Sequence, residues 1–357
     1  MKGYYTKVYA VLDEKKADAV LVSDGYNMRY LSGFRGATGY LYISKKRQVL
    51  MTDSRYTTMA KEEAPDFEVQ ELATGQTCGQ MVNALITEEG AQHVAYEDAY
   101  MLCKTYQGLQ EACAGKIDIS LGDSLDLLRS VKADWELEYL AKAESIGDMA
   151  FTHILDVLKP GITELEVAAE LEYFMKTHGA ENLSFETIVA SGPNSAMPHA
   201  MPSDRKLEKG DFVTMDYGCL YHGYCSDMTR TVVIGKANDK QKEIYHTVLE
   251  AQLSALDALK GGVRGCDVDK VARDIIAKAG YGEYFGHGLG HSVGLFIHEE
   301  PRLSMLCKET ILPNMIQTVE PGIYVPGFGG VRIEDMVVVT EEGYRNLTHS
   351  PKELIEL

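Results

Sequence analysis

LDVLKPGITELEVAAELEYFMKTHGA, Leu155–Ala180, and LDALKGGVRGCDVDKVARDIIAKAGY, Leu256–Tyr281, are two versions of one pattern. Gly161 corresponds to Gly262 and Gly179 to Gly280, at a constant offset of 101. Each version reads as the end of one helix, a glycine turn, and a second helix closed by glycine. Thr163 and Glu166 have capping-box spacing, which predicts a helix start there. The correspondence continues downstream. MPHAMP and FIHEEP align His199 with His298 and Pro202 with Pro301, while GYCSD and GVRIE place Asp227 and Glu334 after Gly223 and Gly330. An ordered series of this kind is the mark of a duplication. It predicts two similar α+β halves facing each other across a cleft on a pseudo-twofold axis.

Upstream the pattern is different. DAVLVS, GYLYIS and QVLMT read as buried strands, and CGQMVNALITEEG and AYMLCKTYQGLQEACAG as helices each closed by a glycine. GFRGATGYLY leads into a strand rather than opening a helix, so its glycines read as turn residues, not a phosphate cradle. The pattern changes at RSVKADWELEYLAKA. The expectation is an α/β domain over 1–125 and a larger α+β domain over 126–357.

Composition narrows the function. The chain has 357 residues and a formal net charge of −18, which argues against a nucleic-acid or anionic-membrane surface. Seven cysteines, an odd number without a CxxC pair, argue against a disulfide framework or a structural zinc site. The amino terminus lacks the apolar core of a secretory signal, and no apolar run reaches the roughly 18 residues of a membrane helix. A cytoplasmic protein is expected.

The chemistry gathers in a few stretches. DFVTMDYGCLYHGYCSDMTRTVVIG reads as two strands joined by a loop, with Asp216 ending the first and Asp227 within the second. A carboxylate buried in a strand is costly unless it is paired or ligates a cation. QTVEPGIY places Glu320 at a strand end before a Pro-Gly turn, and in GVRIED Arg332 and Glu334 stand two apart on one face of a strand. GHGLGHSVGLFIHEEP, residues 286–301, adds His287, His291 and His298. His287 and His291 have HxxxH spacing, but the glycines between them oppose a helix and no Glu follows His287, so the helical zinc motif is rejected. Singly, each of these acids is more often a solvated strand end. Four carboxylates and one imidazole on elements that a duplication brings together fit two divalent ions.

At these residues the chain resembles the metallopeptidases that share the pita-bread fold with methionine aminopeptidase, and within them the Xaa-Pro aminopeptidase and Xaa-Pro dipeptidase (prolidase) branch. The resemblance spans nearly the whole chain, through NMRYLSGFRGATGYLYIS, LMTDSRY, SGPNSAMPHA, MDYGCLYHGYCSDMTRT, GHGLGHSVGLFIHEEP, TVEPGIY and GGVRIED. It implies a creatinase/prolidase-type α/β domain, 1–125, followed by an α+β pita-bread catalytic domain, 126–357. It also implies a metal set of Asp216, Asp227, His291, Glu320 and Glu334, with Asp227 and Glu334 bridging two ions. Manganese is the expected metal, with cobalt or zinc as alternatives. Glu320, His298, His199 and Arg332 then take catalytic roles, and His199, His287, His298 and Arg332 bind substrate. The implied reaction is removal of an amino-terminal residue that precedes proline, by a homodimer or a dimer of dimers. The alternatives are an Xaa-Pro dipeptidase, a metal-free hydrolase of the creatinase type, and a non-catalytic binding module on the same fold. The filled ligand positions argue against the last two.

Overall fold

A computed structural model describes residues 3–357. The chain divides into two compact units between Arg129 and Ser130. The break therefore falls after the turn Asp126–Arg129 instead of at the expected 125/126. Hydrogen bonds explain the difference: Asn27 Nδ2 donates to Asp126 Oδ1 at 2.8 Å and the Tyr30 hydroxyl to the Leu128 carbonyl at 2.7 Å, which ties this turn to the first unit.

The first unit interleaves helices α1 (Val8–Lys15), α2 (Gly25–Ser32), α3 (Thr57–Glu63), α4 (Cys78–Glu89) and α5 (Cys103–Ala112) with six strands. These are β1 (Ala19–Val22), β2 (Tyr40–Ser44), β3 (Gln48–Thr52), β4 (Glu68–Glu71), β5 (Val94–Tyr96) and β6 (Ile117–Ser120). They form one mixed sheet in the order β4-β3-β2-β1-β5-β6. The apolar runs of β1, β2 and β3 are buried, as strands covered on both faces require. A capping box of Thr77 and Gln80 opens α4 and a left-handed Gly90 closes it. The expected glycine stop for α5 is not where the helix ends. Cys113 is its C-cap, and Ala114 takes the positive φ of 51° before Gly115.

The second unit carries the duplication. Helices α6 (Asp134–Val157) and α7 (Glu164–Thr177) are matched by α8 (Asp239–Ala258) and α9 (Gly265–Lys278). The ends Val157 and Ala258, the starts Glu164 and Gly265, and the ends Thr177 and Lys278 all keep the offset of 101 seen in the sequence. The predicted capping box of Thr163 and Glu166 is present. Between the helix pairs lie β7 (Asn182–Leu183), β8 (Ile188–Ser191), β9 (Phe212–Tyr217), β10 (Cys219–Tyr221), β11 (Tyr224–Cys225) and β12 (Met228–Val233). After α9 come β13 (Gly290–Ser292), β14 (Glu299–Leu303), β15 (Ile316–Val319), β16 (Gly322–Val325), β17 (Gly329–Arg332), β18 (Asp335–Val339) and β19 (Tyr344–Asn346). Sheet β12-β9-β8 sits with α6 and α7 around one apolar core that includes Ile146, Leu171 and Met215. Sheet β15-β18-β19 sits with α8 and α9 around another that includes Val248, Ala272 and Val337.

Several strand readings need correction. Asp216 is the penultimate residue of β9, paired with Thr229, but Asp227 lies in the gap before β12. The intervening GCLYHGYCS is not a plain loop, because it forms the short antiparallel pair β10–β11. Pro321-Gly322 is not a turn either. Gly322 already belongs to β16, which pairs with β17 while β15 pairs with β18, so the chain changes sheets at Glu320.

The glycines around His291 have a packing reason. A Cβ on Gly290 would lie 2.0 Å from the Thr318 carbonyl oxygen and 2.8 Å from its Oγ1. Absence of a side chain lets β13 close on β15, where the His291 amide donates to Thr318 Oγ1 at 3.0 Å. Gly290→Ala should therefore force the strands apart at a cost of about 1–3 kcal/mol, typical of overpacking. The expected result is a lower thermal midpoint together with weakened metal binding. A variant with an unchanged midpoint and metal content would contradict this account.

Candidate metal centre

All nine sequence-derived site residues, His199, Asp216, Asp227, His287, His291, His298, Glu320, Arg332 and Glu334, line one cavity of about 820 Å³ in the second unit. Strand register brings them together. β12 runs beside the segment from Arg332 to Glu334: Thr231 Oγ1 donates to the Arg332 carbonyl at 3.0 Å and the Glu334 amide to the Thr229 carbonyl at 3.1 Å. Arg332 and Glu334 face the same side, since both reach Thr229 Oγ1, the guanidinium donating at 2.9 Å and the hydroxyl donating onward to Glu334 at 2.7 Å, but they do not share a strand, because β17 ends at Arg332 and Glu334 lies in the gap before β18. Glu320 is anchored by its amide, which donates to the Leu289 carbonyl at 2.8 Å, and by Thr318 Oγ1 at 3.1 Å.

Charge is the dominant feature. Asp216, Asp227 and Glu334 are 9%, 4% and 1% exposed, and Glu320 lines the same cavity, yet the one guanidinium among them is Arg332, at 2.5 Å from Asp216. Burial, then the neighbouring carboxylates, push Asp227 and Glu334 well above the usual carboxylate range. Burial likewise pushes Glu320 up to about 7. Asp216 Oδ1 is buried with no hydrogen-bond partner among the described residues.

His291 sharpens the point. Its Nδ1 lies 3.1 Å from the Ser292 carbonyl, an acceptor only, so Nδ1 carries the proton. In the neutral ring Nε2 is then a bare lone pair, and it faces Asp227 Oδ2 at 3.4 Å and Glu320 Oε1 at 3.5 Å. Lone pair and carboxylates repel unless a cation sits between them. Ligand atoms of Asp227, His291 and Glu334 all lie within 4.8 Å of one another. The donor set, oxygen-rich with one oriented imidazole, fits a hard or borderline divalent ion.

Beside the cluster, His287 and His298 are held neutral. Burial lowers His287 and His298 to about 4. His287 Nδ1 lies 2.8 Å from the Gly288 carbonyl, so its Nε2 accepts from the Tyr324 hydroxyl at 2.9 Å; that hydroxyl in turn accepts from Arg332 at 2.8 Å. The His298 ring stands edge-on to His291, centroids 4.6 Å apart.

Tyr324, Thr229, Thr318 and Glu144 were not singled out by sequence. Glu144, fully buried on α6, accepts from the Asp227 amide at 3.2 Å and from the Thr348 hydroxyl at 2.5 Å. Strand alternation could have pointed to Thr229, two residues beyond Asp227, and to Thr318, two before Glu320. Nothing local marks Glu144.

The raised carboxylates set a pH dependence. In the metal-free chain Asp227, Glu320 and Glu334 hold protons more tightly folded than unfolded, so folding takes up protons and stability falls as pH rises, for Glu320 between 4.5 and about 7. Cations compete with those protons. The gain in thermal midpoint on adding Mn²⁺ should therefore grow from about pH 5.5 to about pH 8. A gain that stayed constant or shrank would contradict ligation by these carboxylates.

Residues 138–341 match the model for metallopeptidase family M24, and residues 5–131 match that of the creatinase/prolidase N-terminal domain. An Xaa-Pro dipeptidase of Pyrococcus horikoshii is 40% identical over 354 residues, 98% of this chain and 97% of the relative. Among solved structures, an Xaa-Pro dipeptidase from Bacillus anthracis is similar at a TM-score of 0.96 and 43% identity, covering 99% of each chain. An X-Pro aminopeptidase from Thermotoga maritima gives 0.90 and 39%, covering 97% of this chain and 99% of the other. The chain belongs to metallopeptidase family M24, with a creatinase/prolidase N-terminal domain ahead of a pita-bread catalytic domain.

Proposed function

We propose that the protein is an Xaa-Pro dipeptidase that hydrolyses the bond before a carboxy-terminal proline. One observation carries the choice of a dipeptide: Arg302 lines the same cavity as the carboxylate cluster, and among the described residues it is the cavity's one arginine besides Arg332; the cluster engages Arg332, whereas Arg302 pairs through Nε with Glu300 at 3.2 Å. A free carboxylate one residue beyond the cleaved bond is what a guanidinium there would hold. The similarity to proteins named Xaa-Pro dipeptidase points the same way.

In this reading Asp216, Asp227, His291, Glu320 and Glu334 would hold two divalent ions. Manganese is the proposed metal, on the oxygen-rich donor set. When bound, such ions supply Lewis acidity at the scissile carbonyl and make water acidic enough to attack near neutral pH. Glu320 accepts the attacking water's proton at its carboxylate and passes it to the departing proline nitrogen. His298, neutral, donates to the carbonyl oxygen as negative charge grows there. His199 orients the proline side, while the His287–Tyr324–Arg332 chain fixes Asp216 and the cavity wall. An imide bond has no N–H to offer, so a wall shaped for the ring selects proline.

No helix among the described residues is long and apolar enough to cross a membrane. We place the enzyme in the cytoplasm as a homodimer or dimer of dimers; light scattering showing only monomer at micromolar concentration would overturn the assembly.

The likeness to the Thermotoga X-Pro aminopeptidase favours a second reading, in which longer peptides with proline second are the substrates. Manganese-loaded protein given Xaa-Pro, Xaa-Pro-Yaa-Zaa and the matching alanine peptides separates the two. We expect Xaa-Pro to be cleaved best, and Arg302→Ala to raise KM for it while sparing the tetrapeptide. Preference for the tetrapeptide would replace the dipeptidase with the aminopeptidase, and equal cleavage of proline and alanine series would remove both. His298→Ala should keep its metal and lose about 10²–10³-fold in kcat. Loss of the metal in that variant would contradict the role given to His298.

A further inference from the structure

Glu164 opens α7, and Gly265, at the same offset of 101, opens α9. Each stands where a histidine-bearing segment returns to its helix. In the second half the contact is direct: a Cβ on Gly265 would lie 2.3 Å from the Arg302 carbonyl oxygen, so the backbone beyond Pro301 packs on bare glycine. In the first half Ser203 follows Pro202, and it bonds to the Glu164 side chain. Glu164 is fully buried. Its Oε1 accepts from the Ser191 amide at 2.6 Å, from Ser191 Oγ at 2.7 Å and from Asn194 Nδ2 at 3.1 Å. Its Oε2 accepts from the Ser203 amide at 3.1 Å and from Ser203 Oγ at 2.6 Å. One side chain thus matches the amides at both ends of residues 192–202, which carry His199. Arg205 Nη1 donates to Ser191 Oγ at 2.6 Å and keeps a positive charge one hydroxyl away. Farther along, the segment touches the second half: the Gly330 amide donates to Ser195 Oγ at 2.8 Å, and Arg332 to the Pro198 carbonyl at 3.2 Å. The His199 ring lines the cavity yet makes no hydrogen bond, ion pair or ring contact among the described residues, so the course of the segment sets its place.

We propose that Glu164 is a positioning residue for the peptidase reaction, clamping residues 192–202 so that His199 meets the proline side of the substrate. The inference rests on the Xaa-Pro reading and extends it to a residue that does not itself line the cavity. An acid does here what an amide cannot. Two backbone N–H groups, one at each end of the segment, point at the two carboxylate oxygens, and each needs an acceptor. Glutamine has one acceptor oxygen, so its NH₂ would face the Ser191 or the Ser203 amide, donor against donor. That substitution opens one end of the segment and shifts the His199 ring. The acids and the histidine of the metal centre lie outside residues 192–202 and stay in place.

The test compares manganese-loaded wild type, Glu164→Gln, His199→Ala and the double variant on Xaa-Pro. Thr163→Ala is the control, since it weakens the same helix start by removing its cap. Glu164→Gln should raise KM about 10-fold, the scale of one lost bond to a charged group, with kcat and bound metal near wild type. Thr163→Ala should lower the thermal midpoint and leave KM unchanged. Hydrogen exchange read by mass spectrometry should quicken over residues 192–202 in Glu164→Gln and not in Thr163→Ala. In the double variant KM should match that of His199→Ala alone, because no imidazole is left to misplace. Losses that multiply, exchange that stays at the wild-type rate, or a His199→Ala variant with wild-type KM would overturn the clamp. Should Glu164→Gln not fold, Ser203→Ala removes one donor and enters the same cycle. Equal rates for proline and alanine peptides would overturn the Xaa-Pro reading instead, and the exchange over residues 192–202 would still decide on Glu164.

Discussion

Repulsion among buried carboxylates is the constraint on which the second unit turns. Asp216, Asp227, Glu320 and Glu334 line one cavity in which Arg332 is the guanidinium paired with the cluster, at Asp216, and in which His291 Nε2 faces two of the acids. Left alone, such a group takes up protons, and burial drives Asp227 and Glu334 in that direction. Cations remove the conflict without protons. The surrounding hydrogen bonds keep the acids in place meanwhile: Glu144 holds the Asp227 backbone, Thr229 joins Arg332 to Glu334, and Thr318 steadies both His291 and Glu320. These are the contacts that orient ligands and tune their basicity.

The duplication is how one chain brings so many acids to one place. Each half contributes a helix pair, a small sheet and an apolar core of its own, so the carboxylates sit on strand ends backed by rigid packing. Asp227 comes from the first half, and Glu320 and Glu334 from the second. Three of the acids fall at breaks in regular structure: Asp227 precedes β12, Glu320 marks the change of sheet, and Glu334 occupies the gap between β17 and β18.

Much of this was legible in the sequence, for physical reasons. Helix boundaries at the offset of 101 and the Thr163–Glu166 box are local signals, and they appear where the pattern places them. The acids and histidines were legible because their residue types are costly to bury without a partner. What escaped was either long-range or a matter of strand continuity. Glu144 stands far along the chain from Asp227, Tyr324 looks like one more strand aromatic, and Pro321-Gly322 carries the residues of a turn while serving a change of sheet. The end of α5 at Cys113, with Ala114 in a left-handed conformation, shows a glycine stop displaced by one residue. The break after Arg129 depends on side chains of Asn27 and Tyr30 that no boundary rule on composition could weigh.

The central claim is that shared divalent cations balance the acid cluster. Counting bound Mn²⁺ after equilibrium dialysis, for the wild type and for Glu334→Ala, tests it most directly. The account predicts two ions per chain in the wild type and the loss of both in the variant, because one bridging carboxylate serves both. A Glu334→Ala protein that kept both ions, or a wild type that bound none while turning over peptide at full rate, would contradict it.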